Sequence, residues 1–313
     1  MKKIAVEEIV RCKIIQKARE KMEKSNTKFN AFLEELEALI CRYREDIGST
    51  NGLSTETPPE DIFTYAPVKE GIGIAITGIR CSEDNIPAVM RIPERISGEP
   101  VAGIKMMAFP NNRHLKSITV PGCVEYIGQL AFVDCPELTN VTIENGVKEI
   151  SHQAFAGCKE LSVITIPDSV NSFGVELFMG CRELKNISIP DGVCYIQPCT
   201  FLDCIKLERV KMPRKAEKIL HSAFSGCVAL AELSLPESLI EIGEYAFLNC
   251  KSLSGMIEFP DSLTEIDPTA FQGCSDIDGA VYRGKKYRFD FSLSNFPNEM
   301  YDAVNEKKSN GND

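Results

Sequence analysis

The chain has 313 residues, 43% apolar and 26% charged, with a formal net charge of −10. That is ample material for a buried core, and the acidic balance excludes a reader of nucleic-acid backbones, which needs a basic stripe. No apolar run approaches the ~18 residues of a membrane-spanning helix.

Residues 1–47 read as an amphipathic helical segment, free of glycine and proline over Lys2–Asp46. Phe29, Leu33, Leu36, Ile40 and Tyr43 keep one face, and Ala18 and Met22 extend the stripe one turn back. Ser25-Asn26-Thr27 offers a second helix start, since such residues cap N-termini. The stripe either covers an open end of the fold or pairs with another chain and makes the protein an oligomer. Basic and acidic side chains balance over residues 1–60, so the acidic excess lies in the remainder. The opening residues have the basic start of a secretory signal, but Glu7, Glu8, Arg11 and Lys13 prevent an apolar h-region. The expectation is a cytoplasmic protein, with a non-classical route to the cell surface as the alternative. Residues 48–61, with Gly, Ser, Thr and the Pro58-Pro59 pair, have the composition of a linker.

Residues 62–278 carry an internal repeat. Phe132, Phe155, Phe178, Phe201, Phe224 and Phe247 are spaced by 23 residues, and Phe271 arrives one residue late. Cys135, Cys158, Cys181, Cys204, Cys227, Cys250 and Cys274 follow each of them by three. A fixed period of this length marks a stacked array whose units bury their apolar faces only against their neighbours. Within a unit, Leu138-x-x-Val141-x-Ile143 alternates as a short strand with one buried face does. Its counterparts are Leu115/Ile118/Val120, Leu161/Ile164/Ile166, Leu184/Ile187/Ile189, Leu207/Val210/Met212 and Leu230/Leu233/Leu235. Proline at 121, 167, 190, 213, 236 and 260 ends the strand and turns the chain, with Glu144 the one exception. A second apolar pair, then Ala-Phe, then the cysteine complete the turn, and eight such units are expected including their caps.

The thirteen cysteines do not read as a disulfide framework. Ladder cysteines on neighbouring turns stand about 5 Å apart and point the same way, whereas a disulfide needs converging Cβ vectors. They are small buried hydrophobes. Cys123, Cys194 and Cys199 fall in registers otherwise filled by Ser169, Lys215, Glu125, Lys148, Gln153 and Glu176 and are expected to face solvent, which suits a reducing compartment. No C-x2-C pair exists, so no metal site is expected.

After the last repeat, Tyr282-Arg283-Gly284-Lys285-Lys286-Tyr287 reads as a hairpin closing the far end, within a cap of residues 279–313 that ends in a polar, disordered tail from Lys307.

The L-x-x-L-x-L strand is the leucine-rich repeat signature. Ile164-Thr165-Ile166-Pro167-Asp168-Ser169-Val170 and Ile242-Gly243-Glu244-Tyr245-Ala246-Phe247-Leu248-Asn249-Cys250 resemble the BspA-like leucine-rich repeat family of microbial proteins. Tyr65–Gly78, Ile92-Pro93, Val101 and Ala108-Phe109 look like that family's N-terminal unit, with Asn112 in the cysteine position. The resemblance implies a right-handed β-solenoid or horseshoe of short strands. It also implies a secretion signal and an adhesin that binds host matrix proteins or other cells.

Catalytic motifs are missing. No G-x-S-x-G, P-loop or dinucleotide fingerprint occurs, and His152 and His221 share a register three units, or ~15 Å, apart. The expectation is a non-catalytic protein-binding module without a cofactor. Its candidate surface is the outward column Thr119, Thr142, Thr165, Ser188, Lys211, Ser234 and Glu258. Lys211 interrupts the hydroxyls, and with Lys206, Arg209, Arg214, Lys215 and Lys218 it forms a basic spot suited to steering an acidic protein partner.

Overall fold

The computed structural model describes residues 62–68, 72–81, 86–288 and 298–305, all within the compact unit Thr57–Asp313. The expected helical segment and linker lie outside the described residues, as does the tail from Lys307.

The described chain is a β-solenoid of about nine turns. β1 (Phe63–Pro67) and β2 (Ile74–Ile79) form an antiparallel hairpin. β2 also starts a parallel ladder, continued by β5 (Glu99–Ile104), β7 (Tyr126–Ile127), β9 (Glu149–Ile150) and β11 (Ser172–Phe173). β4 (Arg95–Ile96) pairs antiparallel with β5. On the other side of the coil, the L-x-x-I-x-I segments build a second parallel sheet from β3 (Val89–Arg91), β6 (Ser117–Val120), β8 (Asn140–Ile143) and β10 (Val163–Thr165). Register follows the repeat, with Ile118 opposite Val141 and Val141 opposite Ile164. The hairpin rung at β2, ahead of the first Ala-Phe, adds a turn to the eight units expected from sequence.

One column of rings joins the turns. Phe109, Phe132, Phe155, Phe178, Phe201, Phe224, Phe247 and Phe271 stack nearly parallel, with centroids 4.9–5.9 Å apart. Such pairs contribute roughly 0.5–1.5 kcal/mol beyond the burial of their area. Phe63 closes the column edge-on at one end, 6.3 Å from Phe109, and Phe259 meets Phe271 edge-on at the other, at 5.8 Å.

The ladder cysteines are free and buried, as their register requires. Each donates its S–H to the carbonyl of the phenylalanine one turn earlier, at 3.0–3.3 Å. Burial raises the thiol pKa of Cys158, Cys181, Cys204, Cys227 and Cys250. In the first unit, Asn112 Oδ1 instead accepts the N–H groups of His114 and Leu115, at 3.0 and 2.9 Å, and so closes the turn locally.

Two residues before each ring of the column except Phe271, the backbone turns left-handed without glycine. Met107, Leu130, Gln153, Glu176, Cys199, Ser222 and Tyr245 have φ of 53–57°. A left-handed residue costs roughly 1–2 kcal/mol. The bend aims the N–H groups of Leu130, Gln153, Glu176 and Cys199 at carbonyls of the next turn, at 2.9–3.0 Å, which offsets that cost.

The stack is interrupted twice. β12 (Asn186–Ser188) pairs with β14 (Arg209–Lys211), and β13 (Tyr195–Ile196) leads a ladder through β15 (Lys218–Ile219), β16 (Glu241–Ile242) and β18 (Glu265–Ile266), but neither sheet bonds to its predecessor. At this step Phe173 occupies the register held by Ile127, Ile150 and Ile196, and packs edge-on against Phe178. The extra ring spreads the turns, and the Phe155–Phe178 spacing of 5.9 Å is the widest in the column.

The second interruption overturns a sequence expectation. Leu233-Ser234-Leu235 forms no strand, and the next sheet begins only at β17 (Gly255–Phe259), followed by β19 (Ile277–Tyr282) and β20 (Lys285–Arg288). The late arrival of Phe271 supplies the reason. Three residues instead of two separate Leu253 from Ile257, and Gly255 absorbs the extra one at φ 75°.

β19 and β20 form an antiparallel hairpin through Arg283-Gly284. Helix α1 (Asn298–Asn305) has no counterpart in the sequence reading; it buries Met300 and Val304, four apart on one face, and packs by β18.

Candidate functional site

The outward column is present but is not one continuous stripe. Thr119, Thr142 and Thr165 stand in register on β6, β8 and β10. Ser188 and Lys211 are paired on β12 and β14. Ser234 lies in the non-strand segment, and Glu258 on β17. The two interruptions therefore cut the column into separate pieces.

Thr165, Ser188, Lys211 and Ser234 are exposed, whereas Thr119 and Thr142 are half-buried. Arg91 stands opposite Thr119 in register, and its guanidinium reaches across two turns to the Glu144 carboxylate, with Nη2 to Oε2 at 3.1 Å. The arginine side chain thus runs along this end of the column. Hydrogen bonding to Arg91 holds the Glu144 carboxyl below its usual range. This pair accounts for the one turn that lacks proline. There Gly146, at φ 126°, replaces the rigid turn, and a Cβ on it would meet the Gly122 carbonyl oxygen at 2.0 Å.

The basic spot is largely neutralised within the solenoid. Lys206 Nζ lies 2.7 Å from Glu183, Lys218 Nζ 2.6 Å from Glu241, and Arg209 a looser 3.9 Å from Glu232. Arg214 donates from Nε to Asp191 Oδ2 at 2.6 Å and from its backbone N–H to Oδ1 at 2.8 Å. These bonds hold the Asp191 carboxyl below its ordinary range. Sequence reasoning missed the pairs, although each joins residues 23 apart and the spacing alone would have found them. Lys211 and Lys215 are bridged to no carboxylate among the described residues.

The three thiols expected to face solvent differ from one another. Cys123 is exposed, with its S–H 3.8 Å from the Glu94 carbonyl. Cys194 is half-buried. Cys199 is half-buried in the left-handed corner and its pKa is pushed up to about 12, first by burial and then by the carboxylates of Glu176 and Asp203. Solvent exposure was the wrong reading for Cys194 and Cys199, which neighbouring residues half-cover.

His152 serves the fold: its Nδ1 accepts the Val175 N–H at 2.9 Å. His221 approaches Glu244 at 3.4 Å and Ser222 Oγ at 3.1 Å. Among the described residues no group of three His, Cys, Asp or Glu side chains is placed to hold a metal ion, and no helix is long and apolar enough to cross a membrane.

Short strands, a proline-ended turn and a buried Phe/Cys column define a leucine-rich repeat solenoid. The chain belongs to the BspA type leucine-rich repeat family, whose model matches six copies over residues 102–231 and 195–289. It is similar to a crystallised leucine-rich repeat protein of T. pallidum, at 31% identity over 64% of this chain and 91% of that one, with a TM-score of 0.58. A leucine-rich cell surface protein of Faecalibacterium prausnitzii is 25% identical over 75% of this chain and 72% of that one, with a TM-score of 0.60. A leucine-rich repeat protein of Bacteroides ovatus is 28% identical over 71% and 70%, with a TM-score of 0.55. No curated protein matches the chain.

Proposed function

We propose that the chain is a non-catalytic protein-interaction scaffold that binds a protein partner along the outward strand face, through Thr119, Thr142, Thr165, Ser188, Lys211 and Ser234. The observation that supports this most is the contrast within the basic turn. Arg209 and Arg214 are engaged by carboxylates of adjacent turns, while Lys211 and Lys215 are exposed and unbridged among the described residues. Lys211 and Lys215 then steer an acidic partner, and Arg209 and Arg214 set the register beside them. Exposed charges act on association more than on residence time. Capture from native lysate, followed by kinetics, compares wild type with the Lys211→Glu, Lys215→Glu double variant. The variant should associate at least about tenfold more slowly at low salt, with dissociation little changed and the difference fading as salt rises. Identical partners captured at identical rates would remove these lysines from the site.

Every described cysteine is free, which fits work in a reducing compartment such as the cytoplasm. A second reading, a surface adhesin for host matrix or other cells, is favoured by the cell-surface description of the F. prausnitzii relative. Protease treatment of intact cells separates the two: cleavage of the protein supports the surface, and protection until lysis supports the interior.

A further inference from the structure

The second interruption leaves more than a missing strand. Among the described residues, no backbone hydrogen bond joins Leu233–Leu235 to β14 on one side or to β17 on the other. The return ladder nevertheless stays closed here, with β15, β16 and β18 bonded in sequence. The turn is therefore open on its outward sheet alone, like a hinge ajar. Between Leu233–Leu235 and β17 lies a groove of about 610 Å³, within the ~300–1,000 Å³ typical of binding clefts.

The groove's chemistry is specific. Its walls offer strand backbone without ladder partners on that side, and such groups readily accept another strand. Leu233 and Leu235 are half-buried, although Val141 and Ile143 in the same registers are fully packed. Met256 is 38% exposed beside them. Glu237, Glu258 and Asp261 line the groove, all exposed, with no ion pair among the described residues. Elsewhere on the solenoid Glu125, Glu183, Asp191 and Glu241 each take a cation 23 residues away. In the groove that cation is missing.

We propose that this groove is a docking slot for an extended, basic peptide segment of a partner protein. The segment adds its backbone to the open edge of β17, which is five residues long, so about 17 Å of strand is engaged. Alternate side chains follow the pleat: apolar ones turn inward onto Leu233 and Leu235, and Lys or Arg ones turn outward, where their stems cover Met256 and their charges meet Glu237, Glu258 and Asp261. The slot exists because of the residue inserted between Leu253 and Ile257. It does not rest on Lys211 and Lys215, which do not line it.

The test uses the full chain and a fluorescent seven-residue peptide of alternating Val and Lys, read by anisotropy. The controls are a Val/Glu peptide and a Val/Lys peptide N-methylated at alternate residues, which cannot donate those backbone hydrogen bonds. The Val/Lys peptide should bind at least about tenfold more tightly than either control. Deleting Gly255 restores the 23-residue spacing and should close the slot, weakening binding at least about tenfold in a chain that still melts cooperatively. The Glu237→Gln, Glu258→Gln double variant changes only exposed groups and should weaken the basic peptide about tenfold, whether or not the deletion folds. Equal binding of the Val/Lys and Val/Glu peptides, indifference to N-methylation, or unchanged affinity in the double variant would each overturn the proposal.

Discussion

The turns around β6, β8 and β10 and the turns between β14 and β17 come from the same repeat, yet they differ in closure. In the first, Ile118, Val120, Val141 and Ile143 are buried, and β6 and β8 bond in register on both flanks. In the second, Val210, Met212, Leu233 and Leu235 are all half-buried and one strand is lost. The stacked ring column runs unbroken through both, with Phe224–Phe247 at 5.2 Å. The aromatic and thiol ladder therefore sets the array, and strand pairing is a second layer that one inserted residue can release. A solenoid tolerates this because each turn depends only on its neighbours.

The largest expected effect lies in the shared column. Phe178→Ala should cost ~3–5 kcal/mol in denaturant melts, as buried aromatic truncations do. Phe271→Ala, at the end of the stack, should cost less; equal losses would argue against nearest-neighbour accounting. The sharpest contrast between the regions comes next. Ile143→Ala should cost ~2–5 kcal/mol, while Leu235→Ala should cost only ~1 kcal/mol because a half-exposed side chain surrenders less apolar area. Similar values would mean the second region is as closed as the first.

Smaller still is the thiol contribution. Cys204→Ala should cost about 1–2 kcal/mol, from the lost S–H to carbonyl bond and the small cavity left behind. Native labelling should run in the order Cys123 first, Cys199 slowly because its pKa is about 12, and the ladder thiols only on unfolding. The smallest effect concerns the Arg91–Glu144 pair. Arg91 is exposed and Glu144 half-exposed, so solvent screens the pair and Glu144→Gln should cost under about 1 kcal/mol. The folded Glu144 pKa is lowered from 4.5, so its contribution is present above that value and is lost as pH falls through the lowered one. The variant and wild type should converge in acid melts; a difference that persists there would assign the effect to the turn rather than to the charge pair.

The closed region was legible from sequence because a 23-residue period fixes which side chains share a column before any backbone is drawn. Leu138, Val141, Ile143, Phe155 and Cys158 followed from spacing alone. The left-handed corners were hidden because Gln153, Glu176, Cys199 and Tyr245 fill positions where glycine would have announced the bend. The late Phe271 was visible, but whether the extra residue would bulge, lengthen a turn or break the sheet depends on the backbone path through Gly255. As for the candidate surface, the hydroxyl column could be read from alternation, while its segmentation could not, since Phe173 and Gly255 act on turn spacing rather than on the outward residues themselves. The neutralising partners of Lys206, Arg214 and Lys218 were within reach of the same arithmetic that found the rings.

Native-state hydrogen exchange, read residue by residue, tests the difference between the two regions most directly. The amides of Val141, Thr142 and Ile143 should exchange only with unfolding of the array, and those of Leu233, Ser234 and Leu235 at least about 100-fold faster, through an opening that already exists. Equal protection of the two segments would show that the strand at Leu233–Leu235 is paired in solution, and the open groove with it would be contradicted.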